Sequence, residues 1–228
     1  MILTGSEEEK LLEAIKNKNI KKVKSILNNS TENKKILKLN EKDKDGYYPL
    51  SKAIYYDNLK LVKLLIEYAN QHQILLKLNE KDKNGYYPLL MAIDIIEIVK
   101  LLMEYAIQHH IILKLNDKNK DGYYPLLWAT RFNDIEIVQL LIEYANQHQI
   151  ILELNEKNKE GNYPLYLAIR FNYVEIAKIL IKYALQHQII LEYKYDQWLI
   201  ELIEDKPKIK NLLQNYEIEI EKRIKVNK

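Results

Sequence analysis

The chain has 228 residues, of which 47% are hydrophobic and 29% charged, so it is long enough to bury a sizeable core. Its 35 Lys and Arg residues nearly balance 32 Asp and Glu residues, and the net charge of +3 is too small to indicate nucleic acid or an anionic membrane surface as a partner. Cysteine is absent, which excludes disulfides, thiolate metal sites and cysteine nucleophiles.

Two kinds of targeting segment are missing from the sequence. No run of about 18 apolar residues occurs, and the N-terminus lacks an apolar region of signal-peptide length. We therefore expect a cytoplasmic protein without a transmembrane segment.

A five-residue motif organises the chain. Gly-Tyr-Tyr-Pro-Leu begins at Gly46, Gly85 and Gly122, and Gly-Asn-Tyr-Pro-Leu begins at Gly161, so the steps are 39, 37 and 39 residues. Self-similarity at a period of about 20–50 residues indicates one supersecondary unit that is stacked on itself. Function is therefore expected on a shared surface rather than in a single pocket.

The repeat divides the chain into six predicted segments. Residues 6–45 are a degenerate N-terminal capping repeat without the turn motif, because Ala14 to Asn40 spans the same 26 positions as Ala53 to Asn79. The remaining predicted segments are four full repeats at 46–84, 85–121, 122–160 and 161–195, and a C-terminal capping helix pair at 196–228.

Each full repeat predicts two helices, and the third full copy illustrates why. Pro125 suits the first turn of a short helix that runs to Phe132, because its missing N–H would have no intrahelical partner there. Asp134 is a candidate N-cap for a second helix that begins at Ile135. The glycine of the motif, here Gly122, indicates a turn residue with positive φ.

The second full copy is shorter than the others. Five steps separate Ala92 from Glu97, where the other full copies have seven steps between equivalent residues. We interpret this as a shortened turn between the two helices of the repeat at 85–121. A tolerated loop deletion is the favoured explanation, and a notch that admits a bulky group of a partner is the alternative.

The pattern D-x-x-G-x-x-P-L-x-x-A, followed by E-I-V-x-L-L-I-E, resembles the ankyrin repeat. The resemblance implies an all-α fold: an ankyrin-like helix-turn-helix solenoid with projecting turns between repeats and helical end caps. The matching segments are Asp43–Ala53 with Lys60–Glu67, Asp82–Ala92 with Glu97–Glu104, and Asn119–Ala129 with Glu136–Glu143.

Two departures from the family pattern affect local structure. The usual Thr and His at the helix entry are replaced, so the hydrogen bonding there must differ. The period is 39 rather than 33 residues. The excess lies between Ala145 and Asn155, which predicts a second helix about one and a half turns longer.

The resemblance also implies a non-catalytic protein-protein interaction module. Its partner would lie across a concave, aromatic-rich face formed by the turn tips and first helices, and aromatic residues and Arg are enriched at binding hot spots. By position, the expected contact residues are Tyr47, Lys52, Tyr55, Tyr56, Tyr86, Met91, Tyr123, Trp128, Arg131, Phe132, Asn162, Leu167, Arg170 and Phe171. The second tyrosine of each motif is expected to be structural: Tyr48, Tyr87, Tyr124 and Tyr163.

Three alternatives stay open for this surface. Tyr56, Phe132 and Phe171 could simply pack between adjacent repeats. The chain could be a structural spacer, or a designed or consensus array without a specific partner. The groove could also bind a small ligand.

Catalytic and metal-binding patterns are not found. The sequence has no Gly-rich phosphate loop, H-E-x-x-H or G-x-S-x-G motif, so we predict neither an enzyme nor a cofactor. Equivalent residues on stacked helices lie about 8–10 Å apart, whereas zinc needs donors at about 2.0–2.1 Å. We therefore expect no metal site. The histidines are instead expected at the surface near helix C-termini, at His72, His109, His148 and His187. We also expect the protein to be a monomer.

Overall fold

The structure is a computed structural model that describes residues 5–193 and 197–226; residues 1–4, 194–196 and 227–228 lie outside it. The predicted segments 161–195 and 196–228 therefore extend beyond the described residues. The described part contains twelve α-helices and no strand, which confirms the predicted all-α, helix-turn-helix class. None of these helices is long and apolar enough to cross a membrane.

The helices come in pairs of a first and a second helix. Their bounds are α1 Glu7–Lys16, α2 Ile20–Glu32, α3 Pro49–Tyr55, α4 Leu59–Gln71, α5 Pro88–Met91, α6 Ile96–Gln108, α7 Pro125–Arg131, α8 Ile135–Gln147, α9 Pro164–Arg170, α10 Val174–His187, α11 Gln197–Glu204 and α12 Pro207–Val226.

The chain forms two compact units, Met1–Lys114 and Leu115–Lys228. In the first unit, the first helices α1, α3 and α5 contact one another in order, and so do the second helices α2, α4 and α6. In the second unit, α7, α9 and α11 form one such layer and α8, α10 and α12 form the other. Each unit is therefore a two-layer helical stack with its apolar core between the layers.

The helix boundaries follow the predicted start signals. Pro125 occupies the first turn of α7, and Asp134 caps α8 by accepting the N–H of Ile137 at 3.0 Å. Asn58 caps α4 in the same way through the N–H of Leu61 at 3.1 Å. The two helices predicted for the repeat at 122–160 are confirmed as α7 and α8.

A side chain closes the turn before each of the helices α3, α5, α7 and α9. Asp43 Oδ1 accepts the N–H groups of Asp45 and Tyr47, both at 2.9 Å, and thereby replaces backbone partners in the turn. The glycine of each motif has positive φ, as predicted, with values of 93° at Gly46 and 84° at Gly122.

The deletion in the second full copy shortens the first helix, so the prediction of a shortened turn is wrong. Helix α5 has four residues, whereas α3, α7 and α9 have seven. The connection to the next helix spans residues 92–95, whereas three residues connect α7 to α8. The connection between the two helices is thus not shortened, and the missing residues are taken from the first helix.

The residues that lengthen each repeat are only partly helical. Helix α8 ends at Gln147, and Gln149 then turns the chain with φ of 57°. An extended segment follows, in which Leu152 and Leu154 are buried and Ile151 is 52% exposed. The excess thus divides between the end of the second helix and this segment.

Tyrosine hydroxyls hold these extended segments against the next second helix within each unit. Tyr105 of α6 accepts the N–H of Leu76 at 3.1 Å and donates to the carbonyl of Ile74 at 3.0 Å. In the second unit, Tyr183 makes the same pair of bonds with Leu152 and Ile150. The four motif tyrosines expected to be structural are indeed buried: Tyr48, Tyr87, Tyr124 and Tyr163.

Candidate functional site

In the first unit, the turn tip and first helix of the repeat at 46–84 bring three tyrosines together. The ring centroids of Tyr47 and Tyr55 are 5.3 Å apart, and those of Tyr55 and Tyr56 are 5.2 Å apart. Tyr55 is 57% exposed, although its ring is held between two neighbours. This cluster offers a fixed aromatic surface at the end of α3.

Lys52 is directed inward rather than toward solvent. Its Nζ lies 2.5 Å from Asp43 Oδ2, and the two side chains are only 12% and 10% exposed. Burial alone would raise the pKa of Asp43, but the bonds from Lys52 and from the N–H groups of Tyr47 and Asp45 outweigh it and lower this pKa. Lys52 therefore stabilises the turn and presents little surface to a partner.

A cleft of about 610 Å³ lies beside this cluster, between α1 and the turn. Helix α1 contributes Glu8, Glu9, Glu13 and Lys16 to one wall, so carboxylates outnumber the ammonium group on that wall. Burial, followed by the nearby Asp82 carboxylate, raises the pKa of Tyr47 to about 12. Tyr47 is consequently a protonated hydroxyl at neutral pH.

The repeat at 85–121, the second full copy, interrupts the aromatic surface of the first unit. The positions of Tyr55, the last residue of α3, and Tyr56, which follows it, correspond to Asp94 and Ile95 in the connection after α5. Met91 and Tyr86 are both half-buried. The short helix thus removes the aromatic pair from this repeat.

In the second unit, the aromatic cluster extends along α7. Trp128 meets Tyr123 edge-on with ring centroids 4.5 Å apart, and it lies 5.8 Å from Phe132. Trp128 is half-buried, whereas Phe132 is 55% exposed. The rings therefore run from a buried support to an exposed end.

Arg131 holds this cluster to the following turn. Its Nη1 donates to the hydroxyl of Tyr123 at 2.5 Å and lies 3.4 Å from Glu160 Oε2. The guanidinium carbon is 5.5 Å from the Tyr123 ring centroid, within range of a cation–π contact. Arg131 nevertheless remains exposed on its outer side.

A second arginine cluster forms at the end of α9. Arg170 lies 5.5 Å from the ring of Phe171 and 5.9 Å from the ring of Trp198, which α11 contributes. Tyr166 is 6.0 Å from Trp198, and its hydroxyl accepts a bond from Arg170 at 3.2 Å. Phe171 is 49% exposed and stacks on Tyr173 at 5.6 Å.

Three residues of this cluster were not among the contact residues predicted from the sequence: Tyr166, Tyr173 and Trp198. Tyr166 lies on the first helix, two positions after the motif proline, and an aromatic residue there was a usable signal. Trp198 lies in the predicted capping pair, outside the repeat pattern, so only the packing of α11 on α9 reveals its position.

Three of the predicted contact residues are buried, which corrects their assignment. Leu167 is 1% exposed, and Tyr123 and Asn162 are each 6% exposed. Leu167 points into the core of its unit, and Asn162 donates to Glu160 Oε2 at 2.8 Å within the turn. The exposed predicted residues are Tyr55, Arg131, Phe132, Arg170 and Phe171.

The repeated histidines lie at the ends of the second helices, as predicted. His109 Nε2 is 2.9 Å from Asn70 Oδ1, and its ring is 4.1 Å from that of Tyr105. These contacts tie one second helix to its neighbour. Within the described residues, no group of three or more His, Asp and Glu side chains could hold a metal ion.

Comparison with known proteins gave one family match. A family model described as ankyrin repeats (3 copies) matches residues 11–112 and 106–190. These matches include the full repeats at 46–84, 85–121 and 122–160, and most of the repeats at 6–45 and 161–195. A search of curated proteins gave no matching relative.

Proposed function

Because the chain belongs to the ankyrin repeat family, whose members are generally protein-interaction modules and typically non-enzymatic, we propose that it is a non-catalytic protein-binding module. The binding surface is the first-helix face of each unit, defined as its turn tips and first helices. One observation carries this proposal: Tyr55, Phe132 and Phe171 are about half exposed at the ends of three first helices. Phe132 and Phe171 occupy the same repeat position, and Tyr55 lies one position earlier in its repeat. Large aromatic side chains that are exposed in this way are typical of contact residues.

Binding at this face would need little ordering of the chain. Phe132 is supported by Trp128, and Phe171 is flanked by Tyr173 and Arg170. A side chain that is already held in place loses little conformational entropy when a partner covers it. The face is therefore suited to bind through shape complementarity.

The two units offer different chemistry to a partner. In the first unit, Glu8, Glu9 and Glu13 line the cleft beside Tyr55, which favours a basic side chain. In the second unit, Arg170 lies next to the exposed ring of Phe171, and Arg131 lies against the buried ring of Tyr123 with its outer side exposed. Both arginines favour a carboxylate or an aromatic side chain.

The test is a crosslinking capture from a lysate of the source organism, with quantitative mass spectrometry. Phe132→Ala/Phe171→Ala removes the two exposed rings, and Ile218→Ala/Ile224→Ala is the control, since it removes two comparably exposed apolar side chains from α12. We expect a saturable partner that the wild type and the control capture and the first variant loses. Capture of no saturable partner would favour a structural spacer, and equal capture by all three baits would rule out the first-helix face.

A small ligand is the second candidate, and the cleft of the first unit is the observation that favours it. The cleft volume of about 610 Å³ lies within the range of ligand pockets, although charged side chains dominate its walls. A thermal-shift screen tests this function, because a ligand that binds the native state raises the melting temperature with concentration. Glu9→Gln/Glu13→Gln should abolish such a shift.

A further inference from the structure

One exposed aliphatic side chain recurs at the same position of all five repeats, in the extended segment that follows the second helix. Single exposed apolar residues are normal in proteins. An exposed apolar residue at the same position of every repeat, however, indicates a selected surface. These side chains are Ile36 (54% exposed), Leu75 (56%), Ile112 (53%), Ile151 (52%) and Ile190 (59%).

Hydrogen bonds from the preceding repeat fix the backbone under these side chains. In the first unit, Asn40 Nδ2 donates to the carbonyl of Leu75 at 2.8 Å, and its Oδ1 accepts the N–H of Lys77 at 3.2 Å. In the second unit, Asn155 makes the same two bonds with Ile190 and Glu192, at 2.7 and 3.1 Å. The outward side chains of neighbouring segments within a unit are therefore rigidly placed side by side.

The residue two positions later points to the same side of the extended segment and is also exposed, because the intervening leucine is buried. This residue differs in charge between the units. It is Lys38, Lys77 or Lys114 in the first unit, and Glu153 or Glu192 in the second. The first unit thus has an aliphatic row edged with positive charge, in which Lys38 also pairs with Glu41 at 3.0 Å, and the second has an aliphatic row edged with negative charge.

We propose that these two rows bind each other between copies of the chain, so that the first-unit row of one copy packs on the second-unit row of another. Contact between like rows would oppose Lys to Lys or Glu to Glu, whereas contact between unlike rows lets both Glu side chains of one row pair with Lys side chains of the other. Only the unlike pairing covers the aliphatic side chains without charge repulsion. A self-associating chain replaces the monomer expected from the sequence, and this inference is independent of the first-helix face.

The first test is the mass of the full chain in solution, by sedimentation velocity from about 1 to 200 µM, a range that spans weak self-association. We expect a mass that rises above that of the monomer with concentration and falls back toward it as salt is raised. A monomeric mass at every concentration would overturn the proposal.

The second test exchanges the charges. Glu153→Lys/Glu192→Lys makes both rows positive, and Lys38→Glu/Lys77→Glu makes both rows largely negative, so each variant alone should associate at least about tenfold more weakly. An equimolar mixture of the two should restore association. Restoration cannot be explained by misfolding of either variant.

The control is Glu104→Lys/Glu143→Lys, which makes the same change in net charge at exposed positions of α6 and α8. It should associate like the wild type. A mixture that stays monomeric, or a control that is weakened as much as the row variants, would contradict the pairing of the two rows.

The aliphatic contribution has its own test. Ile151→Ser/Ile190→Ser keeps the charges and removes the apolar surface of the second-unit row, so association should weaken at least about tenfold. Unchanged association would show that the aliphatic row is not part of the contact.

Discussion

The ammonium group of Lys52 on α3 lies 2.5 Å from the carboxylate of Asp43, the residue that closes the turn before the same helix. The same carboxylate also accepts two backbone N–H groups of that turn through its other oxygen. The pair therefore fastens the turn to the first helix, and it sets the position of the neighbouring Tyr47. Equivalent turns are closed by Asn119 and Asn158, which cannot form an ion pair.

Asp43→Asn should keep the turn and lose the ion pair. The expected cost at pH 7 is roughly 1.5–3 kcal/mol, the range for a hydrogen bond to a charged group. Since folding lowers the pKa of Asp43, its contribution to stability is fully present above the unfolded value of 3.8 and is lost as pH falls through the folded value. Urea unfolding at pH 7, 5 and 3 measures the free energy of unfolding. The difference in this free energy between wild type and variant should become smaller only at the most acidic pH.

Asp45→Asn is the matched control, because it alters an exposed aspartate of the same turn. It should leave the unfolding free energy nearly unchanged. If Asp43→Asn cost the same at pH 7 and at pH 3, the ion pair would not be the source of the stabilisation.

Tyr105→Phe should weaken the attachment of the extended segment of the preceding repeat. The substitution leaves the N–H of Leu76 and the carbonyl of Ile74 without their partner, at a cost of roughly 1–3 kcal/mol. The amide of Leu76 should also exchange its hydrogen faster. Tyr55→Phe is the control, because the Tyr55 ring is mostly exposed and the substitution removes only a hydroxyl at the surface. Unaltered exchange at Leu76 would show that the hydroxyl does not hold this segment.

Two glycines at the same motif position should differ in their tolerance of alanine. Both have positive φ, 84° at Gly122 and 80° at Gly161, so each alanine costs roughly 1–3 kcal/mol in backbone strain. A Cβ at Gly122 would also lie 2.7 Å from the Cα of Asn158, whereas a Cβ at Gly161 meets no atom within 4 Å. Thermal unfolding should therefore show a larger loss of stability for Gly122→Ala than for Gly161→Ala. Equal losses of stability would mean that the turn of Gly122 does not contact the turn of Asn158.

The sequence predicted those features that depend on local chemistry. The proline at the start of α7, the Asp134 cap and the glycine turns all act within a few residues, so periodicity and residue type were sufficient. The shortened α5 was misassigned because a deletion between two fixed points can be absorbed by either the helix or the loop. Only backbone geometry decides between them.

The partly wrong site assignment has a different cause. Position in the repeat identified Phe132 and Phe171 as exposed, but it also selected Leu167, which is buried because the same helix turn faces the core. Trp198 joins the site from outside the repeats, through a contact between helices distant in sequence. Side-chain direction and long-range packing are not contained in the repeat spacing.

The most direct test of the proposed function is the dissociation constant of the captured partner for Phe132→Ala/Phe171→Ala, measured by titration calorimetry. We expect an affinity at least about tenfold weaker than that of the wild type, with the melting temperature nearly unchanged, because both rings are half exposed. Ile218→Ala/Ile224→Ala should bind like the wild type. Equal affinity of all three proteins would contradict binding through the first-helix face.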